Sequence, residues 1–144
     1  MYKKIVLAYD GSVVGQAALI NSKEIASWSG AEIHLITVKP NLDDIVGDGT
    51  FIDVNSEYLS HFHIQRQLDA GIQSLKDCGH ICCGTLLIGD SVKEITRYAR
   101  KVVADLIVIS HTHNLSNFSK WWASSASSNM VEYAPCNLLV VVSK

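Results

Sequence analysis

Asp10-Gly11-Ser12 is the first group in the chain that could meet a ligand. It follows the apolar run Ile5 to Tyr9, and its carboxylate can contact a ribose or a base. The same residues suit a turn with a helix cap, and the sequence leaves both roles open. A second polar group reads His111-Thr112-His113-Asn114 and continues through Ser124, Ser125, Ser127 and Ser128. Imidazoles in a loop could meet a metal or a phosphate, and serines at a helix start could donate to an anion. The plainer roles are exposed loop histidines and serines that cover a helix face or a partner contact.

A third group holds Cys78, His80, Cys82 and Cys83, residue types that bind soft metals. A strand over 80–88 puts His80 and Cys82 on one side and Cys83 on the other. No second ligand pair follows at zinc-finger spacing. The expectation is small buried hydrophobic roles, with a thiol or metal sensor as the rival. His61 and His63 are two apart and do not share a helix face. Asp43, Asp44 and Asp48 lack calcium-loop spacing. No Ser-His-Asp order and no GxSxG elbow is present, and no enzymatic reaction is expected.

These groups must be positioned by regular elements. Lys3 to Tyr9 reads as a strand buried on both faces. Residues 13–29 carry Val14, Ala17, Ala18, Ile25 and Trp28 at helical spacing, and Gly30 ends that helix. Ala31 to Val38 is a second strand. Pro40 opens an irregular stretch rich in Asp and Gly. Helical spacing resumes near Glu57, through Ile64, Leu68, Ile72 and Leu75, and stops at Gly79. His80 to Ile88 reads as a third strand. Ser91 and Glu94 have the spacing of a capping box, and Val92, Ile95, Ala99 and Val102 give the next helix its apolar stripe. Arg97, Arg100 and Lys101 suit the negative end of that helix. Asp105 to Ser110 is a fourth strand, and His111 to Lys120 reads as polar loop. Trp122, Ala126 and Met130 begin a last helical stripe that ends at Pro135. Asn137 to Val142 is a fifth strand. Adjacent Trp121 and Trp122 diverge on a helix, so one can enter the core while the other covers a seam or a crevice mouth.

Strands alternating with helices predict a parallel sheet with helices on both faces, in one domain over residues 1–144. Ligands in such sheets bind beyond the carboxyl ends of the strands. That rule gathers Asp10, Val38, the Gly89-Asp90 turn and the 110–125 loop.

Composition removes several classes. The 144 residues carry 12 Lys plus Arg against 14 Asp plus Glu, a net charge of −2. A dedicated nucleic-acid binder would show a basic footprint. Charged residues are 18%, below the roughly 25% typical of soluble domains. Hydrophobic residues reach 48%, enough for a real core or an apolar face hidden in an oligomer. The apolar runs are far shorter than the roughly 18 residues that would suggest a membrane span. The N-terminus does not read as a signal peptide, and free thiols fit a reducing compartment. A cytoplasmic location is expected.

Four segments carry a resemblance. Ile5-Val6-Leu7-Ala8-Tyr9-Asp10-Gly11-Ser12, Gly89-Asp90-Ser91-Val92-Lys93-Glu94-Ile95, Ala104-Asp105-Leu106-Ile107-Val108-Ile109 and Ala134-Pro135-Cys136-Asn137-Leu138-Leu139-Val140-Val141 resemble the universal stress protein family. Each motif is loose alone, but the four in order are specific. The resemblance implies a single open five-stranded parallel sheet in order 3-2-1-4-5, Rossmann-like and of the adenine nucleotide alpha hydrolase type. It also implies a non-enzymatic, cytoplasmic stress-response homodimer. In the family the fifth strand pairs antiparallel with its mate, and here that edge is Leu138, Leu139, Val140, Val141 and Val142. An unpaired apolar edge independently favours a partner. A further, unknown protein partner is also expected.

One branch of the family holds ATP with the loop G-x-x-G-x9-G-S/T after the fourth strand. Glycines there let backbone N–H groups close on phosphates. All nine glycines of this chain lie at or before Gly89. Counted back from the last strand, the glycine positions fall on His111, Asn114 and Ser124, with Ser125 as the hydroxyl. Counted forward from the fourth strand, they fall on Ser110, His113 and Ala123, with Ser124 as the hydroxyl. Side chains at these positions would crowd a triphosphate path and restrict left-handed backbone. The chain thus looks more like the A-type branch, which lacks the loop, and no cofactor is expected. The alternative is a regulatory switch that binds AMP or ATP through a noncanonical phosphate loop, with Asp10 and Val38 at ribose and base.

Overall fold

A computed structural model of the chain describes residues 1–9, 13–39, 41, 54–112 and 126–143. In chain order the elements are β1 (Lys4–Ala8), α1 (Val13–Ser29), β2 (Glu32–Lys39), α2 (Val54–Asp77), β3 (Cys82–Ile88), α3 (Ser91–Val102), β4 (Leu106–Thr112), α4 (Ala126–Tyr133) and β5 (Asn137–Ser143). The five strands form one parallel sheet in the order β3-β2-β1-β4-β5. Parallel neighbours need long crossovers, and the helices supply them.

The alternation of side chains along each strand explains both layers. On one face Ile5, Leu7, Ile33, Leu35, Leu106 and Val108 meet Ala18, Leu19 and Ala26 of α1 and Leu68 and Leu75 of α2. On the other face Val6, Ala8, Ile36, Val38, Ile107 and Ile109 meet Ile95 and Ala99 of α3 and Met130 of α4. β1 lies between β2 and β4, so its residues Ile5 to Ala8 are wholly shielded from water. Each large aliphatic side chain buried this way contributes roughly 1.5–3 kcal/mol of transfer free energy. A continuous apolar run in β1 is therefore what a doubly covered strand requires.

β3 departs from this pattern. It sits at one edge of the sheet, and Cys83, Gly84 and Ile88 are exposed. The edge position leaves the cysteines less buried than the sequence predicts. Cys78 and Cys83 are exposed, and Cys82 is half-buried. Cys82 faces the α1/α2 side, where its thiol contacts the Ile72 carbonyl at 3.7 Å. Its neighbour Cys83 faces the other way.

Other element ends shift by a residue or two. The cap of α3 is Asp90, not Ser91: Asp90 has extended backbone, and its carboxylate accepts from the Lys93 N–H at 3.0 Å. Ser91 is already helical, and Glu94 pairs with Arg97 instead of closing a capping box. β4 runs two residues further than expected, so His111 and Thr112 are strand residues in register with Val142 and Ser143. The pairing with β5 carries the backbone past the apolar run that marked the strand in the sequence.

Candidate functional site

The strand order reverses at β1, whose neighbours run outward to β2 and β3 on one side and to β4 and β5 on the other. The crevice of an open α/β sheet opens at this point, beyond the carboxyl ends of β1 and β4. Tyr9 closes β1 here. Its N–H donates to the Ile36 carbonyl at 2.8 Å, and its own carbonyl accepts from the Thr37 hydroxyl at 2.6 Å. The end of β1 is thereby fixed to β2. Its ring turns to the α1/α2 face and packs on Gly71 of α2. A side chain at position 71 would strike Leu35 and Tyr9, so the glycine sets how closely α2 approaches.

Val38 lies at the carboxyl end of β2 and presents its side chain to the α3/α4 face. Beside it, Gly89 donates its N–H to the Lys39 carbonyl at 2.9 Å with φ at +139°. That geometry turns the chain from β3 into the capped start of α3. At this end of the sheet Val38 is buried on the α3/α4 face, and the N-terminus of α3 at Asp90 and Ser91 follows the neighbouring strand β3. His111 reaches the same sheet end on β4. The structure thus places Val38 and His111 at the carboxyl ends of their strands. Asp10, Asn114, Ser124 and Ser125 lie outside the described residues.

A second polar group stands at the opposite end of the sheet. His34 is the third residue of β2 and is paired in register with Cys83 of β3. Its Nδ1 lies 3.1 Å from the Tyr98 hydroxyl of α3 and 3.2 Å from Cys83 Sγ. The Tyr98 hydroxyl also lies 3.4 Å from the Thr85 hydroxyl. The Tyr98 ring meets the imidazole edge-on. On the other side of the ring, Nε2 lies 3.3 Å from a Glu32 carboxylate oxygen, and no hydrogen bond forms. Burial lowers the His34 pKa against the raising effect of Glu32, so the ring is held neutral. Burial likewise pushes the Cys83 thiol up, although the Tyr98 hydrogen bond pulls the other way. Tyr98 is also raised by burial. Sequence spacing alone could not reveal this group, because Glu32 and His34 are about fifty residues from Cys83. The visible signal was the strand order, which makes β2 and β3 neighbours.

The model of the Universal stress protein family matches residues 1–142. The chain belongs to the universal stress protein family. Among curated proteins none matches it. Solved structures of other universal stress proteins share the fold. One from Burkholderia pseudomallei is 22% identical, with a TM-score of 0.76, over 97% of this chain and 96% of that one. One from Archaeoglobus fulgidus, in complex with dAMP, is 20% identical with a TM-score of 0.70, over 97% and 98% of the two chains. One from Arabidopsis thaliana, with AMP bound, is 14% identical with a TM-score of 0.65, over 99% and 92%. The universal stress protein sheet order expected from the motifs, 3-2-1-4-5, is the order observed. No helix among the described residues is long and apolar enough to cross a membrane.

Proposed function

We propose that this universal stress protein is a non-enzymatic regulatory protein whose crevice takes an adenine mononucleotide in preference to ATP. The observation that carries the reading is the lack of any glycine after Gly89, combined with Val38 at the carboxyl end of β2. Val38 supplies an apolar surface for a base. Asp10, directly after Tyr9, supplies a carboxylate for ribose hydroxyls. His111, Asn114, Ser124 and Ser125 offer donors for one phosphate. A triphosphate needs several closely spaced backbone N–H groups, and side chains at the former glycine positions obstruct them. The relatives with dAMP and AMP support the mononucleotide, since each carries a single phosphate.

Loss of the glycine loop also aligns the chain with the A-type branch and with a stress-response role in the cytoplasm. β5 is the outer strand on its side of the sheet, and Val142 is exposed. We place a homodimer contact there, through Leu138 to Val142, and light scattering of the purified chain tests it: a monomer at all concentrations contradicts it. A protein partner on the dimer surface is the output of such a switch.

Calorimetric titration of nucleotide-stripped protein tests the ligand. AMP should bind in the micromolar range, and ATP should bind at least about tenfold more weakly, a difference of ~1.4 kcal/mol. Tighter ATP binding overturns the preference. Absence of heat with both nucleotides returns the protein to a purely partner-binding role.

A further inference from the structure

We infer that Glu32, His34 and Cys83 form a binding site for a soft or borderline divalent cation such as zinc, at the amino end of β2 and β3. The site is separate from the nucleotide crevice. Val38 stands four positions further along β2 than His34, a distance of about 13 Å.

One ligand atom from each of the three residues lies within 4.8 Å of the other two. Carboxylate, imidazole and thiolate are the three side-chain types that zinc accepts. The decisive feature is His34 Nε2. The imidazole is only 8% exposed, and among the described residues this nitrogen has no hydrogen-bond partner although a carboxylate oxygen stands 3.3 Å away. A buried polar atom left unpaired is costly, and native structures avoid it. A cation shared between the nitrogen and the carboxylate removes that cost.

The spacing suits this. Tetrahedral zinc with ordinary bond lengths separates a nitrogen from an oxygen ligand by about 3.3 Å, and a nitrogen from a sulfur by about 3.6 Å. The observed pairs are Nε2 to Glu32 oxygen at 3.3 Å and Nδ1 to Cys83 Sγ at 3.2 Å. A cation on Nε2 therefore has the Glu32 oxygen already at coordination distance, while Nδ1 keeps the Tyr98 hydroxyl. Glu32 is 37% exposed at its side chain, and Cys83 is exposed on the edge strand. Rotation of one of these side chains brings in the third ligand. Solvent completes the shell and gives the cation its entry path. Tyr98 holds the imidazole in place, as outer partners of ligating histidines commonly do. On binding, the Cys83 S–H bond breaks, its proton passes to solvent buffer, and a metal–sulfur bond forms with no change of oxidation state.

Titration of the chelator-treated, purified chain with cobalt(II) and then zinc tests the site. One cobalt ion per chain should bind with a thiolate-to-cobalt charge-transfer band in the near ultraviolet, and zinc should bleach it. Cys83→Ser should remove the band. Glu32→Gln should weaken binding by more than the roughly 10–100-fold that outer partners alone contribute. Cys78→Ser serves as the control and should change nothing. His34→Gln can disturb folding at a buried position, so the test relies on the exposed Cys83 and the part-exposed Glu32. Absence of the band, or a band that survives Cys83→Ser, overturns the assignment, as does binding unaffected by Glu32→Gln.

Discussion

His34 and Cys83 stand side by side across the β2–β3 pairing, with the imidazole Nδ1 3.2 Å from the thiol sulfur. Tyr98 reaches the same nitrogen from α3 at 3.1 Å, so one hydroxyl joins the helix to two strands. Tyr98→Phe keeps the ring contact and removes only that hydroxyl. It should lower stability by ~1–2 kcal/mol, because His34 loses a partner in a partly buried setting. Urea denaturation reads the change. An unaltered midpoint would show that Cys83 replaces the lost partner completely.

Gly84 of β3 faces Ile72 of α2, where an added Cβ would overlap Ile72 Cδ1 and stand 2.8 Å from its Cγ1. Gly84→Ala should therefore destabilise by about 1–3 kcal/mol through overpacking. Ile72→Val removes the nearer atom, and alone it should cost about 0.5–1.5 kcal/mol. The double variant should be more stable than the sum of the two single losses predicts. Simple additivity would place the strain elsewhere.

The end of α3 offers the opposite effect. Val103 caps the helix with φ at +55°, and its side chain is exposed. A β-branched residue in left-handed backbone costs roughly 1–2 kcal/mol, and the exposed side chain returns little packing. Val103→Gly should stabilise by about 1 kcal/mol after the entropy of glycine in the unfolded chain is subtracted. Thermal unfolding checks it, and a lower melting temperature refutes it.

Asp105 ties the N-terminal segment to the start of β4. Its carboxylate accepts from the Lys3 and Lys4 N–H groups at 2.8 and 2.9 Å. These backbone donors hold its pKa below the ordinary 3.8. Its stabilisation is thus fully present above that value and is lost as pH falls through the lower folded value. Asp105→Asn should reduce stability at neutral pH, and the difference from the parent should close on acidification. A difference constant with pH would assign the effect to packing rather than charge.

The sheet was legible in the sequence because its signals are local. The runs at Ile5 to Tyr9 and Leu106 to Ile109 mark doubly covered strands, and the glycines at 30 and 79 end helices with positive φ as expected. Element ends were less so: Asp90 took the capping role because its backbone stays extended one residue before the expected cap. The polar group around His34 was hidden for a different reason. Its members come from three elements, and their meeting depends on strand register rather than spacing. The edge position of β3 also exposed Cys83, which its apolar character alone would bury. Of the crevice residues, Val38 and His111 could be placed at the strand ends, while the other donors expected for phosphate fall outside the described residues.

Titration of the isotope-labelled chain with AMP, followed by amide NMR, is the most direct test of the central reading. The largest shifts should map to Tyr9, Val38, Gly89 and His111 at the carboxyl ends of the strands, should saturate in the micromolar range, and should be weaker with ATP. Shifts confined to other surfaces, or no shifts up to millimolar AMP, would contradict a mononucleotide crevice in this protein.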